Sequence, residues 1–145
     1  MIPPACEAAW QTRLPNIVIP WAKVWKIKSF YATPRDQFTW LRLMHRNLYT
    51  VGHRTDIDDS SCRACTVPES QLHLGTCDII CEEFWTPLIT LMDDLGFPTP
   101  VETERASFVL LGVYQETGKD PTVVRPEQSG LMFIAWRCLY AEIVR

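Results

Sequence analysis

Cys62-Arg-Ala-Cys65-Thr-Val-Pro-Glu-Ser-Gln-Leu-His73-Leu-Gly-Thr-Cys77 holds four metal-ligand side chains at the spacing C-x2-C-x7-H-x3-C. Two residues between Cys62 and Cys65 allow a tight turn that points both thiolates at one ion. His73 and Cys77 are four apart, so on a helix they project from one face. Three thiolates and an imidazole at about 2.0–2.3 Å make the closed tetrahedron of a structural Zn2+ ion, with no open position for a reacting water. The competing reading is four buried, reduced side chains without metal. Thr66-Val-Pro-Glu69 resembles a capping box for the ligand helix, which is expected at about 68–77. Gly75 within it costs about 1 kcal/mol of helix propensity, a loss that ligation can offset. Cys81, one turn beyond Cys77, reads as core, with a substitute ligand as the second reading. Cys6 and Cys138 stand outside any metal spacing and read as buried apolar side chains.

Helical signals flank this stretch on both sides. Thr33-Pro34 looks like an N-cap followed by proline at the first helical position. Phe38, Leu41 and Leu48 then recur at helical spacing, with Trp40, Met44 and Asn47 on an adjacent face, giving a helix over about 34–48. Residues 21–31 fit either a helical face or an alternating strand. Residues 1–20, with Pro3, Pro4, Pro15 and Pro20, read as an irregular arm with a short helical stretch at 5–12. Ile17-Val18-Ile19 in that arm fits a short strand or an extended packing segment.

Residues 53–67 are a polar loop. Further on, Thr86-Pro87 is a second cap-plus-proline signal, for a helix at about 87–95 that Gly96 ends. Segments 104–115 and 128–144 read as two more helices. The last is apolar nearly all round and so belongs in a core or against a partner. The expected fold is mostly α, a small helical domain built around one Cys3His zinc knuckle. An N-terminal arm (1–20) precedes the knuckle domain (21–96). A C-terminal helical extension (97–145) packs on the same core or on a partner.

The chain has 145 residues, 47% hydrophobic and 21% charged, which is a globular composition with length for one ordinary domain or two very small ones. No apolar run approaches the roughly 18–20 residues of a membrane span. Met1-Ile2-Pro3-Pro4 shows no basic region followed by an apolar one, so a secretory signal is not expected. The six cysteines are accordingly not read as a disulfide framework, and an intracellular setting, nuclear or cytoplasmic, is expected.

Net charge is −3 but unevenly spread. Residues 1–54 carry eight Lys/Arg against Glu7 and Asp36, giving +6, and residues 55–145 carry six against fifteen acids, giving −9. A polar partner suits the basic half, although opposite charges meeting within one domain would account for it equally. In the basic half, Lys23, Lys26, Lys28, Arg35, Arg42, Arg46 and Arg54, with Arg63 just beyond, interleave with Trp21, Trp25, Phe30, Tyr31, Trp40 and Tyr49. Cations contact phosphate while aromatic rings stack on unpaired bases. Taken singly, each aromatic fits the core better than a binding face. Arg42 and Arg46, one turn apart, are the leading nucleic-acid contacts. Arg63, in the middle of the knuckle turn, comes next, and Lys26 and Lys28 complete the set.

Enzyme signatures are missing. A zinc deaminase places H-x-E before P-C-x-x-C, the reverse of the order here. No P-loop, G-x-G-x-x-G or G-x-S-x-G occurs. Leu91-Met-Asp-Asp94 shares its acid pair with the Y-x-D-D of polymerases, but the pair sits at the end of an amphipathic helix and reads as a solvated face.

Val24-Trp-Lys-Ile-Lys28, Phe38-Thr-Trp-Leu-Arg42, His45-Arg-Asn-Leu-Tyr-Thr50, Cys62-x2-Cys65, Glu69-Ser70, His73-Leu74, Cys77 and Trp85 follow one another in a characteristic order. That order resembles the zinc-binding domain found after the reverse transcriptase in many non-LTR retrotransposon proteins. The resemblance covers about residues 21–88, while 89–145 resemble the less regular tail of some elements. It implies Cys62, Cys65, His73 and Cys77 as ligands of one structural Zn2+, no catalytic residue, and help for a polymerase in engaging its RNA template or DNA target. The expected partners are RNA or DNA and a polymerase domain or larger ribonucleoprotein assembly, with no membrane and no small-molecule substrate. The alternative is a zinc-stapled structural or interaction subunit of such an assembly.

Overall fold

In the computed structural model, which describes residues 5–27, 33–44, 65, 71–116 and 118–143, helices carry most of the chain. Helix α1 (Ala5–Arg13) leads to one turn, α2 (Trp21–Val24), and then to α3 (Pro34–Met44). The short α4 (Gln71–Thr76) is followed by α5 (Asp78–Ile80), a π-helical turn (Cys81–Trp85) and α6 (Thr86–Asp94). A 3-10 turn (Glu102–Glu104) opens into α7 (Arg105–Leu111). Strands β1 (Val113–Tyr114) and β2 (Thr122–Val123) form a small antiparallel ribbon before α8 (Pro126–Ile143). The mostly α expectation holds.

Local chemistry starts α3 as expected. The Thr33 hydroxyl accepts from the Asp36 backbone N–H at 3.2 Å, while the Asp36 carboxylate accepts from the Thr33 backbone N–H at 3.2 Å and from its hydroxyl at 2.8 Å. This is a reciprocal cap with proline at the first helical position. The same carboxylate meets Arg137 of α8 at 3.0 Å, so the start of α3 is tied to the last helix. Burial pushes the Asp36 carboxyl up, but the Thr33 bonds and the Arg137 guanidinium together outweigh it and hold it below the ordinary carboxylate value.

Three buried tryptophans fasten helices together through their indole N–H groups. Trp10 donates to the Met44 carbonyl at 2.8 Å, Trp85 to Leu74 at 2.9 Å, and Trp136 to Val109 at 2.6 Å. Trp136 also packs on Trp85 with ring centroids 5.0 Å apart, and Phe133 packs on Trp40 at 4.9 Å. Each such ring removes enough apolar surface from water to stabilise the fold by about 1.5–3 kcal/mol. The apolar side of α8, with Met132, Phe133, Trp136 and Leu139 buried, is thereby occupied within the chain.

Several expectations need correcting. Residues 5–20 pack on the core rather than forming an irregular arm: α1 agrees with the short helical stretch expected at 5–12 and runs to Arg13, and Trp10, Leu14, Ile17 and Ile19 are buried. Gln11 organises the turn that follows, donating to the Leu14 and Ile17 carbonyls and accepting from the Ile19 N–H. Residues 17–19 are therefore an extended packing segment. Helix α6 fills the expected span at 87–95, but Thr86 does not cap it: residues 78–94 are helical throughout. The Thr86 N–H bonds the Cys81 carbonyl five residues back, and this wider π turn gives the Pro87 ring room against a carbonyl it would otherwise strike.

Gly96 does end that helix, at φ 83°. The Gly96 N–H bonds Asp93 and the Phe97 N–H bonds Met92, the paired closure of a Schellman motif. The predicted helix 104–115 stops early because Gly112 turns left-handed at φ 72° and frees Val113 to pair with Val123. On α3, Trp40, Leu43 and Met44 enter the core, while Phe38 and Leu41 face outward. Cys138 is exposed and Cys6 half-buried, not core. The rest of the 53–67 loop apart from Cys65, and the ends of the 34–48 and 68–77 helices, lie outside the described residues.

Candidate metal centre

Three of the four predicted ligands converge. The Cys65 sulfur lies 3.1 Å from His73 Nε2 and 3.7 Å from the Cys77 sulfur, and all three donor atoms fall within 4.8 Å of one another. A tetrahedral ion with metal–sulfur bonds of about 2.3 Å separates two sulfurs by about 3.8 Å along the tetrahedron edge. The Cys65–Cys77 separation matches that edge, and the sulfur–imidazole pair needs only a small opening to reach its own. The group can hold a metal ion. Cys62 lies outside the described residues.

Cys65 precedes α4, His73 lies within it, and Cys77 stands between α4 and α5. α4 presents His73, and the Cys77 N–H still closes onto the His73 carbonyl at 2.7 Å, which keeps the two side chains at helical register. Cys77 itself then leaves the helix, with ψ 125°, and its carbonyl accepts from Cys81 to begin the next one. His73 and Cys77 thus share a face, as the four-residue spacing requires, although the helix ends between them at Thr76.

Gly75 sits between these ligands for a packing reason. It is buried against α7, and a Cβ built there would lie 2.7 Å from Leu110 Cγ, inside any ordinary carbon contact. Only glycine lets α4 approach α7 this closely. The Trp85 indole fixes α4 from the other side through Leu74. The ligand turn is therefore clamped between α7 and the long helical segment, with Leu74 and Cys77 both buried.

Cys81 stays apart from the ligand group. Its sulfur meets the Gly75 carbonyl at 3.6 Å, and burial raises the thiol above its ordinary value even though Arg105 lies nearby. It falls outside the set of converging donors.

Of the predicted nucleic-acid contacts, Lys26 is exposed just after α2 and Arg42 is half-buried on α3. Lys28, Arg46 and Arg63 lie outside the described residues. Trp21 and Trp25 are half-buried and stack at 6.0 Å with rings 29° apart, while Trp40 belongs to the core. Sequence reasoning passed over Phe38 as a surface group. It is 60% exposed and lines a groove of about 320 Å³ together with Trp25, Ile27, Pro34 and Leu41. The only available signal was a second apolar stripe on α3, at positions 34, 38 and 41.

Among the described residues, no helix is long and apolar enough to cross a membrane. No protein-family model, curated protein or solved structure matches this chain.

Proposed function

We propose that the chain is a non-catalytic zinc-binding module that binds RNA or DNA through its basic, aromatic segment 21–63. The observation that carries the reading is the convergence of Cys65, His73 and Cys77, whose donor atoms lie within 4.8 Å of one another. Two thiolates and an imidazole are a donor set suited to Zn2+, and Cys62, three residues before Cys65 in a C-x2-C pair, is the natural fourth ligand. Four protein ligands leave no site for water or substrate, so the ion holds α4 and the preceding loop in place without reacting. The resemblance to the zinc-binding domain of non-LTR retrotransposon proteins points the same way. Lys23, Lys26 and Arg35, all exposed on the segments before and within α3, supply the phosphate-contacting charge.

The second reading, a zinc-stapled interaction subunit, drew on a final helix too apolar to stand exposed. That helix has its apolar side buried against its own chain, which favours the first reading. The test is binding of a labelled single-stranded RNA and a DNA of the same sequence across a salt series. Affinity should fall steeply as salt rises, and Arg42→Glu with Arg46→Glu should weaken it further. Absence of binding at low salt would overturn the nucleic-acid reading.

A further inference from the structure

We infer that the groove between α2 and α3 seats an unpaired base of a single-stranded nucleic acid, with Phe38 as its stacking face. The inference rests on the nucleic-acid reading above and narrows it to a substrate class.

Helix α3 carries two apolar stripes. One, at Trp40, Leu43 and Met44, is spent on the core, whereas Phe38 and Leu41 remain 60% and 42% exposed. A single exposed apolar side chain needs no explanation. Here, however, the two belong to one wall of a concave site, with Trp25 and Ile27 opposite. At about 320 Å³ the groove stands at the lower end of small-ligand pockets and has room for a flat heterocycle.

Charge selects the occupant. Residues 21–27 and 33–44 carry Lys23, Lys26, Arg35 and Arg42, and their only acid is Asp36, which is buried and paired with Arg137; from α1, the Glu7 carboxylate accepts from the Trp25 indole at 2.9 Å. Lys26 lies in sequence between the lining residues Trp25 and Ile27, and Arg35 directly follows Pro34. Among the described residues no cation lines the groove itself, but exposed Lys26 and Arg35 next to its lining residues suit a ligand that is flat and apolar at one end and anionic at the other. An unpaired nucleotide has that character. In a duplex the base faces are already stacked, so a double strand offers the cations phosphate but leaves the groove empty.

The probes are a short fluorescein-labelled oligouridylate and an RNA duplex of equal length, titrated by anisotropy into the full chain. The single strand should bind more tightly. Phe38→Ala should weaken its binding by about tenfold, within the range for loss of one base–aromatic stack, without changing the salt slope. Phe38→Trp should retain affinity, whereas Phe38→Leu, apolar but unable to stack, should lose it. Lys26→Glu with Arg35→Glu should instead flatten the salt slope. Circular dichroism should show every Phe38 variant folded, because the ring is exposed. If charge reversal weakens binding but Phe38→Ala does not, or Phe38→Leu binds like the parent, the groove proposal falls and nucleic-acid binding stands. If neither probe binds at low salt, both fall.

Discussion

Gly75→Ala is the smallest change that tests how the ligand turn is held. The added Cβ would stand 2.7 Å from Leu110 Cγ and 3.0 Å from both Leu110 methyl carbons. Carbon atoms pack comfortably at about 3.5–4.0 Å, so the overlap is about 1 Å. Leu110 is fully buried on α7 and has no solvent into which to swing. Overpacking of this kind costs about 1–3 kcal/mol. Replacing glycine in a helix returns about 1 kcal/mol. The expected net loss is about 0–2 kcal/mol, at most a few degrees in melting temperature for a chain of this size. Because the clash lies between His73 and Cys77, metal affinity should fall as well.

Urea unfolding with metal bound and a competitive chelator titration read the two effects separately. A double-mutant cycle with Leu110→Ala gives the decisive number. Leu110→Ala alone should cost about 2–5 kcal/mol, and the new alanine methyl at position 75 should then fit the space it leaves. The pair should therefore be less destabilised than the sum of the singles by at least about 1 kcal/mol. Additive effects, or a Gly75→Ala variant more stable than its parent, would refute the close-packing argument.

Three further outcomes follow from named contacts. Trp136→Phe and Trp85→Phe each strand a buried carbonyl, so each should cost about 1–3 kcal/mol more in urea unfolding than Trp40→Phe, whose indole N–H has no partner among the described residues; equal costs would contradict this. Asp36 has a lowered folded-state value, so its stabilisation is complete above the ordinary carboxylate range near about pH 4 and is lost as pH falls through the folded value. Asp36→Asn should accordingly destabilise at pH 6 and matter much less at pH 3, and a pH-independent difference would count against the Thr33–Asp36–Arg137 arrangement. Chelation should loosen α4 and its surroundings before the α3–α8 core, seen as faster amide exchange at residues 71–77 than at 132–139; simultaneous exchange would show that the metal holds the whole domain.

Much of this was legible where the signal is local. Thr33-Pro34 caps α3, Gly96 ends α6, and the apolar run after residue 126 forms α8, because each depends on a few neighbouring residues. The convergence of Cys65, His73 and Cys77 was legible for the same reason, since ligand spacing encodes geometry directly. Non-local facts were hidden. Gly112 could be read as helix interior until Val123 arrived to pair with Val113. Thr86-Pro87 carries the chemistry of a helix start, yet a π turn lets the helix pass through it. On α3, periodicity revealed two apolar stripes without saying which one meets α8. Gly75 looked like a cost to α4, and its reason became visible only with Leu110 in place.

Metal content of the purified chain, with thiol titration before and after chelation, tests the central claim most directly. The account predicts one zinc ion per chain, thiols that become reactive only on chelation, and loss of that zinc in His73→Ala. A metal-free chain with freely reactive Cys65 and Cys77, or unchanged zinc content in His73→Ala, would contradict it.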